Sequence, residues 1–473
     1  MLNKYISESI KKFFPHTPTD LQLDFFDRIS NYLLDRNSNK VFILKGYAGT
    51  GKTSAVAALV KAMKKQKMKI ILLAPTGRAA KVFSGFANTP TWTIHKHIYR
   101  QKSDEDGMGD FVLNFNKARN TLFIIDEASM LSDEDTYSPF GSGRLLTDVF
   151  RFIFETGNNN KLLLVGDTAQ LPPVGLELGH ALDASYIYET FHYSVEEITL
   201  KEVIRQEFDS GILENATSLR KKLTANETDT LKLSESFDVM HITGGELIER
   251  LSDSYSKEGV EETIVITRSN KRANGYNEGI RKTILYREDE VAVGDYLMVV
   301  KNNYYWKDDE AKLEFIANGE IAEITAFKRI EELYGFRFAE VSLRFVNYDI
   351  EIETKILLDT LTSQSPALSR EENKQLYLNV LEDYADLTNK KKRQKAMREN
   401  PYFNALQVKF AYAITCHKSQ GGQWDVVFVD QGYLTDDMLG DDYYRWLYTA
   451  VTRAKKKLFF VNFQEKYRTT TAS

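Results

Sequence analysis

The chain has 473 residues, which at about 150 residues per domain predicts roughly three domains and excludes a single small module. Hydrophobic residues make up 42% and charged residues 27%, an ordinary balance for a globular protein and far from disorder, collagen or a disulfide scaffold. Lys plus Arg number 62 against 67 Asp plus Glu, a formal net charge of −5, so a uniformly basic nucleic-acid coat is excluded while a locally positive groove is not.

At the N-terminus, MLNKYISESIKKFF carries charges where a secretory leader would be apolar, and no apolar run approaches the roughly 18 residues of a membrane span. Cys416 is the single cysteine, so no internal disulfide can form. A cytoplasmic protein with no membrane partner is expected. Short apolar runs then follow at VFIL (41–44), IILLA (70–74), LFII (122–125) and KLLLVG (161–166). Helix-length stretches such as TSAVAALVKAMKKQ lie between several of them, the alternation of a parallel sheet covered on both faces. A second set, TIVIT (263–267), VKFAYAIT (408–415), DVVFVD (425–430) and KLFFVNF (457–463), predicts a second α/β core. From about 290 to 350 the text changes to alternating patterning with Gly turns, which predicts a small antiparallel barrel inserted between strands of that core. Residues 366–400 read as helical, with a capping box at Ser369 and Glu372 and a stop near Pro401. The run KKKR (390–393) within them reads first as a solvated face and second as a nucleic-acid contact. Aromatics reach 12%, with 25 Tyr and 28 Phe, more than cores require, so some are expected to act as stacking platforms.

GYAGTGKT (46–53) follows the VFIL strand and precedes a helix, the context in which G-x-x-x-x-G-K-[ST] has physical meaning. Gly46, Ala48, Gly49, Thr50 and Gly51 supply a loop whose backbone N–H groups turn inward toward phosphate oxygens, helped by the positive end of the helix. Lys52 would hold the terminal phosphates and Thr53 would ligate Mg²⁺. LFIIDEAS then places Asp126 and Glu127 at a strand end, where an acidic pair has no core role. Asp126 would hold Mg²⁺ through water, and Glu127 would act as general base for the attacking water. ATP and Mg²⁺ are the expected cofactors.

GDTAQLPPVG (166–175), LKEVIRQ (200–206), AITCHKSQGGQWDVVFVD (413–430) and LYTAVTRAKKKL (447–458) complete an ordered set that resembles the motifs of superfamily 1 helicases. APTGRAAKVF (74–83) and TIHKHI (93–98) look like the family's DNA-contacting segments, and within the superfamily the sequence is most similar to the RecD and Dda type, the 5′-to-3′ branch. The likeness runs over roughly residues 18–462. It implies an α/β chain with two RecA-like P-loop NTPase domains, a small SH3-like β-barrel and a helical insertion. The implied borders are 1–195 for the first domain, with a pin-like hairpin at 97–118. Residues 196–285 begin the second domain, 286–405 form the inserted barrel and helices, and 406–473 complete the second domain. The resemblance makes Gln170 a γ-phosphate sensor, Arg205 and Arg453 arginine fingers, and Gln423 a further nucleotide contact. It also makes Gln22 the reader of adenine, although a solvent-facing glutamine on the first helix fits the sequence equally.

By the same resemblance Pro75, Thr76, Arg78, Thr93 and His95 on one core, and Thr415, His417 and Lys418 on the other, would grip a single strand through its phosphates. On residue type alone, His95 and His417 read equally well as structural histidines. Within YRQKSDEDGMGDFVLNFN (99–116), Phe111 or Phe115 would stack on the last base pair as a wedge, or both would pack on the first core. The implied activity is an ATP-dependent DNA helicase moving 5′ to 3′ on single-stranded DNA and opening forked duplex in replication, recombination or repair. As a monomer, one chain with two cores would complete the ATP site. The alternatives are a nucleic-acid-stimulated ATPase that switches or assembles without unwinding, and a helicase that tracks RNA.

Overall fold

In the computed structural model, described residues are 2–37, 39–101, 111–133, 141–173, 175–176, 178–202, 210–225, 227, 230–303, 305–306, 316–346 and 350–469. A parallel sheet of six strands forms the first lobe, in the order Thr91–Thr93, Lys69–Ala74, Thr121–Ile125, Lys161–Gly166, Lys40–Gly46, Ser194–Leu200. The middle strands are buried on both faces, which is why they read as uninterrupted apolar runs. One face packs Phe25, Phe26, Val56 and Leu59, and the other packs Phe123, Val149, Ile153 and Leu182. The strand Ser194–Leu200 pairs with Lys40–Gly46, so the first lobe continues to residue 200 and the expected border at 195 falls inside a strand.

Five parallel strands make the second lobe, in the order Val239–Ile242, Ala454–Val461, Trp424–Asp430, Thr263–Thr267, Ala413–Thr415. The expected barrel is present and closed, built from Tyr296–Val299, Ile321–Leu333, Phe336–Phe345, Ile350–Leu357 and Leu406–Phe410. VKFAYAIT was expected to be one strand of the second core, but it divides. Its first part closes the barrel against Tyr296–Val299, and Ala413–Thr415 joins the lobe-two sheet. The barrel therefore reaches Phe410, beyond the expected border at 405. The Tyr412 hydroxyl marks the crossing, donating to Asp295 Oδ1 (2.8 Å) and accepting from the Tyr296 N–H (3.2 Å), while Arg281 and Arg287 pair with the fully buried Asp295. One apolar core runs from Val265 and Phe428 of the sheet to Leu297 and Val341 of the barrel, so barrel and second lobe act as one unit. Each such side chain contributes about 1.5–3 kcal/mol on full burial.

Residues 366–400, expected to be helical, form two helices, Arg370–Glu382 and Lys390–Arg398, and the first opens on the expected Ser369–Glu372 capping box. Among the described residues no helix is long and apolar enough to cross a membrane.

Candidate nucleotide site and nucleic-acid interface

Because the strands Lys40–Gly46, Thr121–Ile125 and Lys161–Gly166 run parallel, their C-terminal ends deliver Gly46, Asp126 and Asp167 to one edge of the sheet. The phosphate loop leaves that edge. A Cβ on Gly46 would come within 2.8 Å of the Lys52 side chain, and Gly49 and Gly51 hold left-handed φ of 73° and 76°, which only glycine adopts without strain. The helix Lys52–Lys65 starts with no side-chain cap, so its first amides are left to an anion. Lys52 Nζ donates to the Tyr47 carbonyl (2.9 Å) and lies 3.9 Å from Asp167. Thr50 is fully buried and donates its hydroxyl to the same carbonyl (2.7 Å), while Thr53 is half-buried one residue into the helix.

Gln22 is fully buried, which removes the solvent-facing reading. Its amide donates to the Thr50 carbonyl (3.0 Å) and accepts from the Thr19 N–H (3.0 Å), tying the first helices to the phosphate loop. One N–H and one lone pair remain for a base.

The Asp126 carboxyl accepts the Glu127 N–H (2.9 Å), and burial followed by the Glu127 charge pushes its pKa well above the usual carboxylate range. Glu127 sits at φ 52°, a left-handed conformation that costs a non-glycine residue on the order of 1–3 kcal/mol. Arg453, only 3% exposed, comes from the second lobe and brings Nη1 to 3.9 Å from Glu127 Oε1. Its remaining donors reach the Thr449 carbonyl (3.0 Å), the Gly422 carbonyl (3.2 Å) and the Thr452 hydroxyl (3.1 Å). Gln170 is 7% exposed, and its Oε1 has no hydrogen bond among the described residues. Arg205 lies outside the described residues.

These donors fit Mg²⁺. Among the described residues no group of three or more His, Cys, Asp or Glu could cage a metal, whereas Mg²⁺ with nucleotide takes one or two protein oxygens and completes its shell with phosphate and water. Thr53 and Asp126 would supply those oxygens, and a divalent cation would favour the charged form of the Asp126 carboxyl that burial and Glu127 disfavour.

The lobes meet around this site through contacts that motif reading missed. The Tyr448 hydroxyl donates to Asp167 Oδ2 (2.7 Å) and accepts the Ala48 N–H (2.8 Å), joining the second lobe to the phosphate loop. The Thr449 hydroxyl accepts the Leu171 N–H (2.8 Å), Gln420 donates to the Leu171 carbonyl (2.6 Å), and Arg445 donates to the Thr168 carbonyl. Ala169 and Leu171 are buried within the second lobe's core, so the loop carrying Gln170 belongs mechanically to both halves. Tyr448 and Thr449 lie within the LYTAVTRAKKKL run already singled out for Arg453, and two adjacent hydroxyl residues in an otherwise apolar stretch were the available clue.

Of the residues expected to hold nucleic acid, Arg78 reaches across to the second lobe. Its guanidinium stacks on the Trp424 ring at 3.9 Å and donates to the Gln423 carbonyl (2.7 Å), so it ties the lobes together. Gln423 itself is half-buried at that tie. Thr76 caps the helix Gly77–Ala87 by accepting the Ala79 N–H (3.2 Å), beside the half-buried Pro75, and Thr93 caps Ile94–Ile98 through the Lys96 N–H (3.3 Å). His95 lies 5.8 Å from the Tyr99 ring. On the second lobe Thr415, His417 and Lys418 open a single-turn helix; His417 is exposed, and Lys418 Nζ has no hydrogen bond among the described residues. Burial, then the neighbouring Lys409, pulls the Lys418 ammonium down to a pKa of about 8.

Tyr99–Gln101 and Phe111–Leu113 pair antiparallel as the two arms of the expected hairpin, whose connection at 102–110 lies outside the described residues. The two phenylalanines part company. Phe111 packs on the first-lobe core and lines a cavity of about 790 Å³ shared with Lys301 and Tyr305 near the barrel and Tyr377 of the helical insert, whereas Phe115 is 69% exposed.

Comparison with known proteins agrees with this arrangement. The AAA domain family matches residues 33–242, and the UvrD-like helicase C-terminal domain matches residues 410–461. An uncharacterized protein of Acanthamoeba polyphaga mimivirus is 25% identical, with 90% of this chain and 96% of that protein covered. ATP-dependent DNA helicase Pif1 of Campylobacter jejuni is also 25% identical, covering 91% of this chain and 89% of its own length. ATP-dependent RecD2 DNA helicase of Deinococcus radiodurans is 28% identical over 38% of this chain, which spans only 22% of that enzyme. The first lobe is thus similar to an ATPase domain family and the second to a helicase C-terminal domain family, in the order that the superfamily 1 motifs led us to expect.

Proposed function

We propose that this chain is an ATP-dependent DNA helicase that moves 5′ to 3′ on single-stranded DNA and opens forked duplex. The observation that carries the reading is the approach of Arg453 to Glu127 from opposite lobes beside the phosphate loop. A triphosphate bound there contacts both halves, and its loss frees one from the other. Lys52 and the first amides of its helix bind the phosphates, Glu127 orients and deprotonates the attacking water, and Arg453 offsets charge that grows in the transition state. When bound, Mg²⁺ supplies charge neutralisation and in-line orientation of the phosphates. Thr53 and Asp126 are the residues that would hold it.

Each cycle then alternates two lobe positions, with Thr76, Thr93 and His95 gripping the strand on one side and Thr415, His417 and Lys418 on the other. Phe115, exposed beside the hairpin, is the wedge. Since both lobes come from one chain, a monomer suffices.

The test is ATP hydrolysis with and without oligothymidylate, together with unwinding of forks bearing either a 5′ or a 3′ single-stranded tail. Stimulation by the oligonucleotide and unwinding only from the 5′ tail are expected. Unstimulated hydrolysis, or unwinding from the 3′ tail alone, overturns the reading.

A further inference from the structure

Asp148 is fully buried on the helix Leu145–Phe154 of the first lobe, outside every motif used above. Its Oδ2 accepts the Tyr99 hydroxyl (2.8 Å) and the Ser142 N–H (2.9 Å), and its Oδ1 accepts the Ser142 hydroxyl (2.9 Å). Tyr99 opens the first arm of the hairpin and is itself buried. Gly141 closes the same junction. Its N–H donates to the Phe111 carbonyl on the second arm (2.6 Å), and at a left-handed φ of 49° it leaves no room for a Cβ, which would run into Asp148 Oδ2 and the Tyr99 ring. Near the other end of the helix the buried Asn116 donates to the Phe152 carbonyl (2.8 Å). One helix thus grips the hairpin at its first arm and again just after the exposed Phe115.

The same helix also holds the segment that leaves the nucleotide site. Thr147, next to Asp148, donates its N–H (2.9 Å) and its hydroxyl (2.7 Å) to Asp133, six residues beyond Glu127. Asp133 is buried, and its N–H donates to His180 Nδ1 (3.2 Å), which fixes the far end of that segment on the lobe. Two adjacent residues in the first turn of one helix therefore join the chain running from Glu127 to the hairpin. A hairpin with arms of three residues each is marginal in water by itself, and a wedge that yields under load separates no base pair.

We propose that Asp148 is a positioning residue for strand separation: through the Tyr99 hydroxyl it fixes the hairpin to the segment that leads from Glu127, so that the wedge holds its place while duplex is forced onto it. This rests on the helicase reading of the proposed function and adds a positioning residue to it.

The experiment compares the wild-type chain with Tyr99→Phe and Asp148→Asn in three assays. They are hydrolysis with oligothymidylate, displacement of streptavidin from the 3′ end of a single strand as a measure of translocation, and unwinding of two 5′-tailed forks, one rich in A·T and one in G·C. Thermal unfolding checks each fold. Hydrolysis and translocation should stay within about twofold of wild type, while loss of a hydrogen bond to a charged group slows unwinding of the G·C-rich fork about fivefold or more. The A·T-rich fork should suffer less, because a loosened wedge yields first to the stronger duplex. Unchanged unwinding in both variants, or a defect of equal size on the two forks, overturns the inference. So does a parallel loss of all three activities, which would make Asp148 an element of the fold alone. Should Asp148→Asn fail to fold, Tyr99→Phe, which keeps the ring and leaves both Ser142 bonds in place, carries the same comparison. A wild-type chain that neither translocates nor unwinds would instead count against the helicase reading, so the two failures are separable.

Discussion

Glu127 and Arg453 come from strands and helices 326 positions apart in the chain, and each is individually awkward: one holds a left-handed backbone, the other is a buried cation. Their juxtaposition beside Lys52 accounts for both. Lys52→Ala is expected to abolish hydrolysis and weaken nucleotide binding. Arg453→Ala is expected to reduce turnover by about a thousandfold while retaining most nucleotide affinity, measured by steady-state hydrolysis beside mant-ADP titration. Joint loss of both in Arg453→Ala would make the arginine structural. Lys418 gives a pH dependence with a definite sign. Burial lowers its pKa from 10.5 to about 8, so its charge is present at pH 7 and lost as pH rises through that value. Wild-type affinity for oligothymidylate should fall more between pH 7 and pH 9 than the affinity of Lys418→Gln does. At pH 7 the variant's log K against log salt should be shallower by about 0.7, the contribution of one phosphate contact on a single strand. Parallel pH profiles would remove Lys418 from the strand path.

Local patterns predicted several elements correctly because their causes lie within one turn or one strand. The Ser369–Glu372 capping box satisfies helix N-terminal donors from residues three apart, and it forms as expected. The hairpin arms also pair as expected. Where an element's identity depends on a distant partner, the text is ambiguous: VKFAYAIT reads as one mostly apolar run whether it joins one sheet or two, and only pairing with Tyr296–Val299 and Thr263–Thr267 divides it. The same distinction separates the hairpin's phenylalanines, equivalent in sequence, of which Phe111 packs partly buried on the first-lobe core while Phe115 is exposed. Phe115→Ala should leave DNA-stimulated hydrolysis within about twofold and sharply reduce fork unwinding. Phe111→Ala should instead lower stability by about 1–3 kcal/mol, seen in denaturant unfolding. Loss of hydrolysis in Phe115→Ala would remove it as a wedge.

At the scale of the whole molecule, the lobes are joined by a seam whose parts are remote in the chain. Ala48 meets Tyr448 across 400 positions, and Arg78 of the first lobe stacks on Trp424 of the second. The sequence by itself determined the phosphate loop, the acidic pair and the two α/β cores, because consecutive backbone N–H groups, a strand-ending carboxylate and apolar periodicity are all local properties. Only the tertiary structure decided which arginine meets Glu127, which face an aromatic ring, and how the loop carrying Gln170 belongs to both lobes. The reason is that a charged side chain's role is set by the partner it meets after desolvation, and that partner is chosen by the packing of distant elements.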